Sequence, residues 1–564
     1  MMKKKIAVLL AGCFLSFVPI APGGSPTAEA ALASGAARDM SSPAQAAPAK
    51  RKLTREEQAA VLLQKAEEEV KSHPDRYQSY AARAHAYFMK GEVEKAMADM
   101  DHAVSLAPKD PVVYWLRAGY YVKLKQDAAA RWDWYSALAL NPPDPLRLKI
   151  YNDRGRWNLQ EKKYADAVSD FQSGLSCIPA GNGVGLSAQY ILIGHAYRKW
   201  KDFPRAEENY KKAMAKNPKA YQPLESLGNL YAENLKQYAR GRECFDKAIA
   251  LDPKAPILYR RAAQISHKMG KPKDTVSYMT KGIALRPKMD YYYTIRGNAY
   301  RELHKYDLAL ADLDKAIELN PKVPLSHTMR GHVYIDLKKW DRALQDYNEA
   351  ITLSPKKRDD LYFFRGFMYI MTDQKEKALA DFLAASSLRP KNENYYILIG
   401  DLYVEMDKRQ EAVSYYEKAA TLEPKAAYVF NNMGYSYHKL GRNDRALACL
   451  TRGIDVDPDF PETYRSRARV YESMGQLDKA LADMDHFLTL QPKNATGYRL
   501  RAELYEKAGK TGLAEKDRNK AKELGPDHED KINETGAIIS SPDWNYIEYK
   551  KARKAREAKK GGAL

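Results

Sequence analysis

The chain has 564 residues, 45% of them apolar, with 92 Lys and Arg against 72 Asp and Glu for a net charge of +20. That apolar share suits a continuous packed core and excludes an intrinsically disordered chain. The excess positive charge is spread, with +5 in residues 1–56, about +14 in 57–526 and +1 in 527–564; it favours acidic partners or an anionic surface without being a nucleic-acid footprint.

In chain order, residues 1–30 read as an export signal. Lys3, Lys4 and Lys5 precede an apolar run over residues 6–21, and Ala28, Ala30 and Ala31 supply the small residues of a cleavage site. Cleavage after Ala30 is the expectation, with a destination in the periplasm or at the cell surface. Leu10, Ala11, Gly12 and Cys13 offer a second reading, a bacterial lipobox with Cys13 as the lipidated residue. Against it, residues 14–20 stay apolar where a lipoprotein linker should turn polar. An uncleaved anchor is the third reading.

Residues 31–52, rich in Ala, Ser and Pro, read as a flexible linker. Thr54 and Glu57 form a capping box, which predicts a lone helix to about Ser72 within residues 53–75. That helix would cover the open end of the periodic region beginning at residue 77.

From residue 74 the chain is periodic. Proline recurs at 74, 108, 142, 179, 218, 253, 287, 321, 355, 390, 424, 458, 492 and 526, and nine of the thirteen gaps are 34 residues. A fixed period of that length predicts one two-helix unit stacked thirteen times over residues 77–528. Taking proline as position 32, small residues recur at positions 8, 20 and 27 (Gly297, Ala309 and Ala316 in unit seven), where two helices must approach closely. Large residues recur at positions 4, 11 and 24 (Tyr293, Tyr300 and Leu313), and Tyr fills position 4 ten times and position 11 eleven times, 21 of the chain's 40. Core spacing accounts for these tyrosines better than a stacking platform for bases.

These positions resemble the signature of the tetratricopeptide repeat. The resemblance covers residues 77–528 and implies an all-α solenoid, a right-handed superhelix of about thirteen helix-turn-helix units. Two insertions depart from the period. One runs through Asn141, Pro142, Pro143, Asp144 and Pro145; the other holds Gly181, Gly183 and Gly185. The glycines lack the spacing and the preceding strand of a phosphate cradle, so a flexible loop is expected there, with a kink that separates units one to three from the rest.

Position 7 is Arg in eight units, and in the same eight units position 23 is Asp. The pairs are Arg83 with Asp99, Arg117 with Asp133, Arg154 with Asp170, Arg296 with Asp312, Arg330 with Asp346, Arg365 with Asp381, Arg467 with Asp483, and Arg501 with Asp517. In the other five units both positions change together, so the repeats themselves report a contact between the two helices. A partly buried ion pair is the expectation.

Three cysteines lie beyond the signal, Cys177, Cys244 and Cys449, in units too far apart to bridge. After Pro526, residues 529–564 read as a polar segment and a basic helix carrying Lys550, Lys551, Arg553, Lys554, Arg556, Lys559 and Lys560. Its charge serves either to keep an open end soluble or to touch anionic lipid or polymer.

In the family that these units resemble, positions 2, 5, 9 and 12 of the first helix face a groove. That implies a binding surface made of His85, Trp115, His195, Arg260, His267, Asn298, Arg301, His332, Phe363, Phe367, Asn431, Tyr435, His438, Arg465 and Arg469. The Lys and Asn clamp with which related repeats hold a C-terminal carboxylate is missing, as is an asparagine ladder in consecutive units. No catalytic motif is present, and no cofactor or metal is expected. Two functions follow as expectations. One is a non-catalytic extracytoplasmic scaffold that holds a peptide or partner protein in the groove, in envelope assembly or maintenance. The other is a basic surface-binding protein for anionic envelope polymer or lipid.

Overall fold

The computed structural model describes residues 54–525. The expected signal 1–30 with Cys13, the linker 31–52 and the basic segment 529–564 lie outside the described residues. Thr54 caps the helix Arg55–Ser72 through the reciprocal box with Glu57, and this helix packs on the first helix of unit one. Thirteen helix pairs succeed it, a first helix A and a second helix B in each, and no strand occurs among the described residues. Unit eight is typical: helix A is Pro324–Asp336 and helix B is Trp340–Leu353.

Each A-to-B turn passes through one residue with positive φ. Five are glycines (Gly91, Gly270, Gly441, Gly475 and Gly509), and eight are not: Lys125, Lys162, Lys201, Lys236, His304, Lys338, Asp373 and Asp407. A left-handed residue there lets the next amide reach back across helix A, as Lys339 N does to Tyr334 O at 2.8 Å.

Helix A meets helix B through position 8. A Cβ on Gly194 would stand 2.5 Å from the Tyr210 ring, and one on Gly400 would stand 2.6 Å from Tyr416. Both rings are at position 24 and fully buried. Units with Ala at position 8 carry other side chains at 24, such as Met100, Trp134 and Met279.

The described residues fall into two compact blocks, one ending at Leu303 and the other beginning at His304. The boundary therefore lies inside unit seven and not at the insertions. Those insertions lengthen helix A, to 17 residues in Asp144–Gln160 and 18 in Gly183–Trp200. Gly183 and Gly185 belong to that second helix, capped by Asn182, and a Cβ on Gly183 would lie 2.4 Å from Lys216 O. Close packing explains these glycines, and the loop expected there is a helix start. The extra residue of unit five is absorbed in a π turn at Leu230–Asn234.

Seven of the eight Arg–Asp pairs are two-pronged ion pairs between helix A and helix B. In unit two, Arg117 Nε and Nη2 donate to Asp133 at 2.9 and 2.8 Å, and the Asp side chain is 1% exposed. Units one, three, eight, nine, twelve and thirteen repeat this geometry. In the eighth pair, Arg296 and Asp312 fall in different blocks.

The same arginines have a further role. Nη1 of Arg117, Arg330 and Arg501 reaches Asp101, Asp314 and Asp485 on helix B of the preceding unit, while Arg365 reaches Asn348. One guanidinium thus joins two units. The tyrosines at positions 4 and 11 flank it: Tyr362 and Tyr369 stand 5.6 and 5.7 Å from Arg365. The position-4 hydroxyl donates to the carbonyl of the period-marking proline, as Tyr114 does to Pro108 at 3.1 Å. Most of these tyrosines are therefore half-buried brackets around the arginine rather than core fillers.

Candidate interaction surface on the helix-A faces

Positions 2, 5, 9 and 12 form a line along helix A, and the structure divides it by exposure. His85 is exposed, and Trp115, His195, Arg260, His267, Phe363, His438, Arg465 and Arg469 are half-buried. Asn298, Arg301, His332, Phe367, Asn431 and Tyr435 are buried, which corrects the open surface expected of them. The reason is packing by rings. Phe367 lies 5.4 Å from Phe382 at position 24 and 4.5 Å from Phe363, and His332 lies 4.8 Å from Phe364 in the next unit.

In the first block the line holds a polar cluster on units six and seven. Helix A of these units, Pro256–Lys268 and Asp290–Glu302, brings His267 Nδ1 to 3.2 Å from Glu302, which also accepts from Asn298 Nδ2 at 3.0 Å. Gln264 donates to the Tyr291 hydroxyl at 2.9 Å. Asn298 Oδ1 is buried with no hydrogen-bond partner. Elsewhere in the same block, Trp115 donates to Asp153 at 2.9 Å between units two and three, and His195 lies 3.3 Å from the Ser226 hydroxyl between units four and five. Burial, with the cations of Arg198 and Lys199, pushes the His195 imidazole down to about 4.

In the second block a buried network runs through units ten and eleven. Tyr416 and Asn432 donate to Asp401 at 2.7 and 3.2 Å, and Asn431 donates to Asn432 at 3.2 Å. Asn431 is fully buried, and its Oδ1 also lacks a partner. Asn432 and Tyr416 are not among the expected site residues, because they stand at positions 6 and 24, outside the groove-facing set. On units eleven and twelve, His438 Nδ1 lies 2.9 Å from Asn443 Oδ1, and Arg465 pairs with Glu462 at 2.5 Å.

Among the described residues, no group of His, Cys, Asp and Glu could hold a metal ion, and no helix is long and apolar enough to cross a membrane. Burial pushes the Cys244 and Cys449 thiols up to about 11, so neither is a thiolate at neutral pH.

Tetratricopeptide repeat models match residues 77–110, 191–256, 291–323, 325–357, 393–425 and 433–505, on the units that these helix pairs form. The chain is a tetratricopeptide repeat protein. Among solved structures it is similar to YrrB, a TPR protein with an unusual peptide-binding site, at 23% identity over 33% of this chain and 95% of that one, with a TM-score of 0.30. A tetratricopeptide repeat protein from Parabacteroides merdae matches at 19% identity over 47% of this chain and 98% of that one, TM-score 0.36. The APC/C hetero-tetramer Cut9–Hcn1 matches at 15% identity over 84% of this chain and 95% of that one, TM-score 0.32. No curated protein sequence matches the chain.

Proposed function

We propose that this TPR protein is a non-catalytic scaffold that holds a peptide or a segment of a partner protein along its helix-A faces. The observation that carries the reading is the set of ring and polar side chains that stay partly exposed on that line in each block, Trp115, Arg260 and His267 in the first and Phe363, His438 and Arg469 in the second. Aromatic and guanidinium groups left partly open on successive units are the kind of groups that anchor a bound peptide. The start of the chain, with its lysines, apolar run and small residues, supports an exported protein acting in envelope assembly or maintenance.

Photo-crosslinkers at Arg260 and Phe363, compared with one at Trp132, test it. Trp132 lies on helix B and is 70% exposed. One discrete partner captured from envelope extract at both helix-A positions, and absent at Trp132, is the expected result. Equal capture at all three positions would refute the helix-A assignment. The net charge of +20 favours a second reading, attachment to anionic polymer or lipid. Binding to such a surface would fall steeply with salt, and groove binding would fall modestly.

A further inference from the structure

In seven of the eight Arg–Asp units position 4 is Tyr, and in unit eight it is His327. The imidazole takes over the tyrosine's bond. Its Nε2 lies 3.0 Å from the Pro321 carbonyl, as the Tyr114 hydroxyl lies 3.1 Å from that of Pro108. A carbonyl oxygen only accepts, so Nε2 carries the hydrogen. That leaves Nδ1 facing helix B, Trp340–Leu353, at 3.6 Å from Asp346 Oδ1, buried and without a hydrogen bond. A neutral imidazole in this tautomer turns a lone pair toward a carboxylate, two acceptors against each other. Tyrosine, with one polar atom, creates no such conflict.

The charges around the ring favour a proton there. The Asp346 side chain is 3% exposed and accepts from Arg330 Nε and Nη2 at 3.0 and 2.7 Å. Arg330 shares a helix with His327, and its Nη1 reaches Asp314 on helix B of unit seven, Tyr306–Leu319, at 2.7 Å. Glu349 stands at position 26, which in units one and twelve brings the His102 and His486 rings to 4.4 and 4.2 Å from the position-4 tyrosine. Helix A of unit nine meets this helix through rings, Phe364 against His332. One guanidinium thus serves two carboxylates, with Glu349 a third, and a proton on Nδ1 brings the charges nearer to balance. The Asp346 carboxylate holds the imidazole above its ordinary 6.5, against burial and the Arg330 cation.

We propose that unit eight is a proton-operated clamp, in which His327 takes up a proton at Nδ1 as the surroundings acidify, donates it to Asp346 and so holds helix A more firmly on helix B. The folded chain binds this proton more tightly than the unfolded chain. The clamp's contribution to stability is therefore complete below 6.5 and is lost as pH rises through the folded value. His195, in the other block, runs the opposite way.

Two measurements on the full-length chain test this. In the first, the ring Cε1–H signals of isotope-labelled histidine are followed by NMR between about pH 5 and 9, and the His327 signal is the one that His327→Gln removes. The expected midpoint lies above 6.5, and a midpoint at or below that value overturns the clamp. In the second, melting temperature is read over the same range for wild type, His327→Tyr and His327→Gln. Tyr restores the residue of the seven other Arg–Asp units and does not titrate in most of this range. Wild type is expected to gain on both variants as pH falls. Because all three proteins keep His195, its opposing effect cancels in the comparison. Parallel curves, including a uniform loss in the variants, would make His327 merely structural and overturn the clamp, as would a wild type that gains as pH rises. Partner capture at Arg260 and Phe363 is read independently of both measurements.

Discussion

At Gly400 a single methyl group decides whether two helices can close. The Tyr416 ring leaves 2.6 Å for a Cβ, and it is fixed by its hydrogen bond to Asp401. Gly400→Ala is expected to lower stability by ~1–3 kcal/mol in chemical denaturation, as overpacking does in a closed core. Gly441 is different, because a Cβ there meets nothing within 4 Å and only its φ of 72° matters. Gly441→Val should cost ~1–2 kcal/mol through the backbone alone. Position 8 is legible in the sequence, since small residues recur there in every unit. The left-handed residue of the A-to-B turn is not, because Lys fills it five times and Lys does not announce a positive φ. His195 supplies a pH prediction. Its folded value of about 4 is below the ordinary 6.5, so the unfolded chain takes up the proton first as pH falls. Stability is then intact above 6.5 and declines from there down to about 4. His195→Phe should flatten that part of a pH-dependent melting curve.

At the scale of the element, the Arg–Asp pair is the unit of cohesion. Asp381 is 6% exposed at the side chain and accepts from Arg365 Nε and Nη2 at 2.8 and 2.7 Å. Asp381→Leu alone should cost ~3 kcal/mol or more, because it leaves a guanidinium buried without its partner. The double variant Arg365→Met with Asp381→Leu should cost far less, and a double-mutant cycle by urea unfolding reads the difference. The link to the preceding unit is weaker. Asp314 is 56% exposed, so Asp314→Ala should change stability by no more than ~1 kcal/mol, although it removes a 2.7 Å contact to Arg330. The pairing between positions 7 and 23 is readable because thirteen internal copies vary both positions together. The reach to position 25 is not, since Asp101, Thr280, Asn348 and Thr451 share only the ability to accept a hydrogen bond. Spacing alone points to core tyrosines. Their hydroxyls and the arginine between them give the better account, and it requires knowing where the proline carbonyl lies.

For the whole molecule, periodicity carries nearly all of the fold, because each unit's packing repeats its neighbour's. The candidate surface is less legible. Its line of positions comes from the repeat resemblance, but exposure along it depends on which ring fills position 24 and which helix A lies next. Phe367 shows this: position 9 predicts an open side chain, and against Phe363 and Phe382 it is closed. What survives on the line is polar and partly desolvated, from the Asn298 cluster in one block to Arg469 in the other. The most direct test is hydrogen–deuterium exchange on the full-length chain, with and without the partner captured at Arg260 and Phe363. Slowed exchange is expected on helix A of successive units, Pro256–Lys268 and Asp359–Met371 among them, with helix B little changed. Protection confined to helix B, or lost altogether in moderate salt, would contradict it.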